Sequence, residues 1–250
     1  MSGHSKWAQI KRQKGVADSR RGAMFTKLTR EIIVAVRQGG PSPEANFRLR
    51  LAIQKARDHN MPKDNIESAV KKGSGAAEGT ALTEMTLEGY GPAGVAVMLE
   101  ALTDNRNRTV QEVRSTFSRY NGSLGENGCV SWIFENLGVI SVDTTGIDAD
   151  ELALYALDAG AQDVKEEKGM LEIYTAPHDF EIVKQAIEKR KKPVSAEVTM
   201  VPKNTVTLAE KEALQTVKLL EKLEELDDVQ RVFSNLDYSD ALIEKLKAEA

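Results

Sequence analysis

Four groups of residues in this 250-residue chain have types and spacings that could do chemistry. The first is Gly89-Tyr-Gly-Pro-Ala-Gly94, formally G-x-G-x-x-G. A dinucleotide fingerprint must open a helix whose N-terminus holds a pyrophosphate. Here Pro92 interrupts the motif, which then runs into Val95-Ala-Val-Met-Leu99, a buried-strand composition. A hairpin turn is the expected structure. The second group is the metal and nucleophile candidates. His4, His59 and His178 lie in separate segments and form no H-x-x-x-H or H-E-x-x-H pattern, so neither a metal centre nor any other cofactor is expected. Cys129, the single cysteine, cannot close an internal disulfide or build a cysteine-rich zinc site. Set in the apolar stretch from Cys129 to Phe134, it reads as a small buried hydrophobe in a strand rather than an activated thiolate.

The third group, Asp104-Asn-Arg-Asn-Arg-Thr109, sits where a strand should pass into a helix. Arg106 and Arg108, together with free helix N–H groups, could hold a phosphate or carboxylate. The plainer alternative has Asp104, Asn105 and Asn107 making the turn, Thr109 capping the helix as the start of a Thr-x-x-Glu112 box, and both arginines solvated. The fourth group is the basic opening, with Lys6, Trp7, Lys11, Arg12 and Lys14, followed by Arg20, Arg21, Lys27 and Arg30. Trp7 could stack on a base or pack on a helical core. The lysines and arginines have no comparable packing demand, and they are the candidate nucleic-acid contacts.

The charge distribution agrees with that reading. Residues 1–75 hold 16 lysines and arginines against 6 acids, net +10, whereas residues 76–250 hold 18 against 32, net −14. A basic segment on an acidic body suits a polyanion-binding arm, and the acidity elsewhere limits indiscriminate sticking along the polymer. With 41% hydrophobic and 29% charged residues the chain can bury a core. Near the start, the apolar run Ile32 to Val36 spans five residues, against the roughly 20 that a membrane helix needs. The opening lacks the apolar stretch of a secretory signal, although its basic, acid-free character has something of a transit peptide. The reading is a cytoplasmic protein without a membrane partner.

These groups need elements to position them. Phe25, Leu28, Ile32 and Val36 form an apolar stripe on a helix from about Asp18 to Gln38, stopped by Gly39-Gly40-Pro41. Ser42 and Pro43 then suit an N-cap and first turn before Leu49, Ala52, Ile53 and Ala56. Pro62 opens a third helix carrying Ile66 and Val70, with Gly73 just beyond its end. Residues 73–81 form a linker. The strands Met85–Tyr90 and Val95–Leu102, a helix carrying Val110, Val113 and Phe117, and a strand Cys129–Phe134 follow. Residues 138–202 read as a complete β-α-β-β-α-β unit. A helix from Ala209 to Leu226 and a strand from Val229 to Asn235 complete the earlier strands. The expected fold class is therefore α+β: an N-terminal helical bundle (1–75), a discontinuous split β-α-β domain (82–137 plus 203–238), and a ferredoxin-like split domain (138–202) inserted in it.

Gly3-His-Ser-Lys-Trp7, Arg21-Gly22 with Phe25-Thr-Lys27, Glu88-Gly-Tyr-Gly-Pro92, Asp104-Asn-Arg-Asn-Arg-Thr109, Gly138-Val-Ile-Ser141 and Asp228-Val-Gln230 together resemble the YebC/PmpR family over essentially the full length. The resemblance implies three domains, one helical and two α+β, arranged around a groove in probable transcriptional regulatory proteins. It also takes in the mitochondrial translational activator of cytochrome c oxidase, and with it association with ribosomal RNA or the ribosome. Phe47 stands where family members commonly have proline, at the start of the second helix, and Asn121 where many have glycine, in a turn. The family brings no established catalytic set. The expected function is a non-enzymatic nucleic-acid-binding regulator of gene expression, a DNA-binding transcriptional regulator, with a ribosome- or RNA-associated translation activator as the alternative. An enzyme using the Asp104–Arg108 loop on a phosphorylated substrate is a third class without an acid, base or nucleophile to support it.

Overall fold

The computed structural model describes residues 18–75 and 82–248, and among these it shows an α+β fold of eight α-helices and two four-stranded sheets. Three helices come first: α1 (Asp18–Gly39), α2 (Phe47–Asp58) and α3 (Lys63–Ser74). Their apolar residues recur every three or four positions, so each helix has one stripe to bury. Leu28, Ile32, Ala35 and Val36 of α1 meet Leu49, Ala52, Ile53 and Ala56 of α2 and Ile66 and Ala69 of α3, with Met61 filling the α2–α3 turn.

Two local expectations change here. The N-cap of α2 is Asn46 rather than Ser42, and Phe47 is its first residue. Asn46 Oδ1 accepts from Leu49 N at 3.0 Å while its Nδ2 donates to Ala35 O and Gly40 O at 2.7 and 2.8 Å. One buried side chain thus caps α2 and ties it to the end of α1, whereas the Ser42 hydroxyl is engaged by Glu44 at 2.6 Å. Gly73 lies inside α3 instead of beyond it. A Cβ there would come within 2.7 Å of Val36 Cβ, so close helix approach, not chain reversal, requires the glycine.

The first sheet has the order β3-β1-β2-β8. β1 (Thr83–Tyr90) and β2 (Ala96–Thr103) form an antiparallel hairpin from Thr83↔Thr103 to Tyr90↔Ala96. The glycine-rich motif is its turn: Gly91 N donates to Val95 O at 2.7 Å, and Ala93 takes φ 54°. Next, α4 (Arg106–Arg119) buries Thr109, Val113 and Phe117 at four-residue spacing. Asn121 follows at φ 59°, a left-handed conformation that asparagine tolerates better than most residues. The chain then adds β3 (Ser123–Leu124) beside β1. The fourth strand, β8 (Val229–Ser234), arrives only after α7 (Glu210–Glu225).

The second sheet, of order β5-β6-β4-β7, is made of β4 (Phe134–Asp143), β5 (Asp163–Glu167), β6 (Met170–Thr175) and β7 (Ser195–Pro202), with α5 (Ala149–Asp158) and α6 (Phe180–Glu188) as its connecting helices. Every adjacent pair is antiparallel, which is the ferredoxin-like arrangement read from the alternation of strands and helices. The strand expected from Cys129 to Phe134 does not form. Ser131–Ile133 is a short 3-10 turn, Trp132 Nε1 donates to Cys129 O at 3.1 Å, and Cys129 is only partly buried. Phe134 instead opens β4, where it faces Pro202 across the sheet, so this strand crosses the boundary expected between residues 137 and 138. A final helix, α8 (Asp240–Ala248), buries Leu242 and Leu246 beyond the last expected strand.

The described residues divide into two compact units, one of residues 18–75, 82–127 and 214–232 and the other of residues 128–213 and 233–248. Among the described residues no helix is long and apolar enough to cross a membrane.

Candidate nucleic-acid interface

The Asp104–Thr109 segment joins β2 to α4. Asn105 takes extended backbone angles and its side chain accepts from Arg108 N at 3.1 Å, so Asn105, not Thr109, is the N-cap. Thr109 lies one turn inside α4 and its side chain points down into the fold, 1% exposed. What draws it inward is Asp228, on the turn that leads into β8. The hydroxyls of Thr103 and Thr109 donate to Asp228 Oδ2 at 3.0 and 2.8 Å. Arg108 Nη2 reaches the same oxygen at 2.6 Å and Asp104 Oδ1 at 2.8 Å. From α1, Arg30 Nη1 lies 3.0 Å from Asp228 Oδ1 and donates to Asp227 O at 2.8 Å.

The Asp228 side chain is 3% exposed, and a buried carboxylate is tolerated when paired and hydrogen-bonded. Burial pushes its pKa up, but hydrogen bonds from Arg108, Thr109 and Thr103 and the charge of Arg108 more than offset this, holding it below the usual carboxylate value. In return, hydrogen bonds to Asp228 and Asp104 raise the Arg108 guanidinium above its ordinary value. Lys27, one turn before Arg30, donates to Glu224 O at the end of α7 at 2.5 Å, where a cation is favoured by the helix dipole.

The candidate contacts therefore meet different fates. Arg30, Arg108 and Lys27 each have an intramolecular partner, although the Arg108 side chain stays 43% exposed. Arg106 is exposed and makes no hydrogen bond or ion pair among the described residues. It borders a cleft of about 780 Å³ lined by Glu84, Met85, Thr86, Leu87, Arg106, Asn107, Val110 and Asn127. Arg20 and Arg21 lie on the first turn of α1, and their side chains fall outside the described residues, as do Lys6, Trp7, Lys11, Arg12 and Lys14. Among the described residues no histidine, cysteine and carboxylate cluster of metal-binding size occurs.

Sequence reasoning did not find Asp228 as the partner of the arginines. Its local signal is only an acid placed just before a strand, in a motif noted for its resemblance alone. It also passed over Arg114 and Arg119, which share α4 with Arg106 and Arg108. Their signal was available, since Arg106–Arg119 contains four arginines and one glutamate.

Residues 5–76 match the N-terminal domain of the TACO1/YebC protein, and residues 82–236 match the TACO1/YebC second and third domain. A probable transcriptional regulatory protein of Dehalococcoides mccartyi is 61% identical over 251 residues, covering 100% of both chains. One from Natranaerobius thermophilus is 51% identical, covering 98% of this chain and 99% of its own. Among solved structures, a conserved hypothetical protein from Aquifex aeolicus superposes with a TM-score of 0.77 at 48% identity, over 88% of this chain and 91% of that one. With both stretches matched in order and relatives aligned end to end, this chain belongs to the TACO1/YebC family.

Proposed function

We propose that the chain is a non-enzymatic regulator of gene expression that works by binding nucleic acid, as a DNA-binding transcriptional regulator of the cytoplasm. The observation that carries this reading is the charge division, net +10 in residues 1–75 and net −14 in residues 76–250. The relatives' names, probable transcriptional regulatory proteins, support regulation as the output. Phosphate contacts supply the affinity: Lys6, Lys11, Arg12, Lys14, Arg20 and Arg21 neutralise backbone charges, Trp7 stacks beside them, and each neutralised phosphate releases counterions. The acidic remainder limits indiscriminate sticking along the polymer and leaves the basic segment to dock first.

Fluorescence anisotropy of the full chain across a salt series tests this. Replacing Lys11, Arg12 and Lys14 by alanine should flatten the log-log salt slope on duplex DNA by roughly two to three units, at about 0.9 per phosphate. An unchanged slope would defeat the phosphate-clamp reading. Much tighter binding to ribosomal RNA than to duplex DNA at equal salt would move the function from transcription to translation.

A further inference from the structure

The helix α4 has a composition and layout that its place in an acidic region does not explain. Four arginines against one glutamate make it net +3 over 14 residues, inside a segment of net −14. Arg106, Arg114 and Arg119 have no hydrogen-bond or ion-pair partner among the described residues.

Position on the helix sorts these side chains. Thr109, Val113 and Phe117 point into the sheet. At about 100° per residue, Asn107, Gln111, Ser115 and Ser118 fall on the opposite side, and all four are exposed. Arg114 flanks that strip on one edge and Arg119 on the other, with Glu112 just beyond Arg119, while Arg108 on that second edge is held by Asp104 and Asp228. A neutral strip able to donate and accept hydrogen bonds, bordered on both sides by guanidinium groups, is the layout of a helix that lies in a groove between two phosphate backbones. Asparagine and glutamine pair with the edge of adenine, while arginines straddle the phosphates. No large apolar or aromatic side chain occupies the face, as a protein-binding hot spot would require. A helix about 10–12 Å across fits the major groove of B-form DNA, which is about 12 Å wide. The deep, narrow major groove of A-form RNA does not admit side chains in this way.

We infer that α4 is a groove-reading helix for duplex DNA, with Asn107 and Gln111 contacting base edges and Arg114 and Arg119 contacting phosphates. The Asp228 node serves as its mount. By fixing Arg108 and Thr109 it sets the first turn of α4 on its sheet, so the outer face is presented in one orientation. This inference rests on the proposed nucleic-acid function and adds what that function lacks, a surface able to tell one sequence from another.

The test is affinity selection from a random-sequence duplex DNA pool with the full-length protein, repeated with two double variants, N107A/Q111A and R114A/R119A. All four sites are exposed helix positions where alanine is well accommodated, and circular dichroism melts confirm folding. The wild type should enrich a short motif. N107A/Q111A should still bind duplex DNA with the wild-type salt slope but enrich nothing. R114A/R119A should weaken binding equally on all duplexes and flatten the log-log salt slope by roughly two units. If the wild type binds DNA while both variants keep its motif and slope, the α4 assignment fails and the proposed function stands. If the variants lose structured-RNA binding but not duplex binding, the duplex assignment is overturned. If the wild type binds neither polymer, the proposed function falls, and this inference with it.

Discussion

Arg108 and Arg114 occupy the same helix six residues apart, yet one is held by two carboxylates and the other has no partner among the described residues. The inner end of α4 is a closed electrostatic node, in which Asp228 takes bonds from two guanidinium groups and two hydroxyls. Its outer face is open, polar and basic. The difference lies in a single buried carboxylate. Charge turned toward Asp228 is spent on joining α1, α4 and β8, and charge turned away remains available to a phosphate. A basic residue count thus overstates the binding surface wherever a buried acid waits opposite.

Breaking the node gives the largest expected effect. Asp228→Ala leaves the Arg30 and Arg108 guanidiniums and the Thr103 and Thr109 hydroxyls without their acceptor. Removing one partner of a buried ion pair costs about 3–5 kcal/mol, and because both arginines keep some solvent we expect about 3 kcal/mol in urea unfolding. A loss below about 1 kcal/mol would show that the node is no tighter than the outer face.

Titration sharpens the same contrast. Because the folded pKa of Asp228 is depressed, its contribution is present above the unfolded value of about 3.9 and is lost as pH falls through the lower folded value. The stability gap between wild type and Asp228→Asn, wide near neutral pH, should therefore narrow steadily below about pH 4. A gap that stays constant down to acid pH would mean that the carboxylate charge contributes nothing.

Asn105→Ala removes the cap that starts α4 and should cost about 1 kcal/mol, seen as a lower thermal midpoint. At the small end, Arg114→Ala should change stability by no more than about 0.5 kcal/mol, the usual range for an exposed site. A larger loss would reveal a structural duty on the face assigned here to DNA.

The helical stripes of α1–α3 and the β-α-β-β-α-β order of the second sheet were legible because burial by one face imposes a short, local period on the residues themselves. Leu28, Ile32 and Val36 had to share a face in any packed helix. The basic character of the opening and of the Asp104–Thr109 loop was equally plain from composition. Pairing and partnership were not. Cys129–Phe134 has the apolar content of a strand, but a strand exists only where a neighbour can complete its hydrogen bonds, and β4 begins at Phe134 instead. Asn46 displaced Ser42 as a cap because the end of α1 lay within reach of its amide, and Gly73 was needed inside a helix because Val36 presses against it. Arg108 and Arg30 meet Asp228 across 120 and 198 residues of chain. Residue type and local spacing thus decided where positive charge and apolar faces lie along the chain. Only the tertiary fold decided which charges are neutralised inside and which face solvent, because electrostatic pairing depends on distance in space, and chain separation carries almost no information about it.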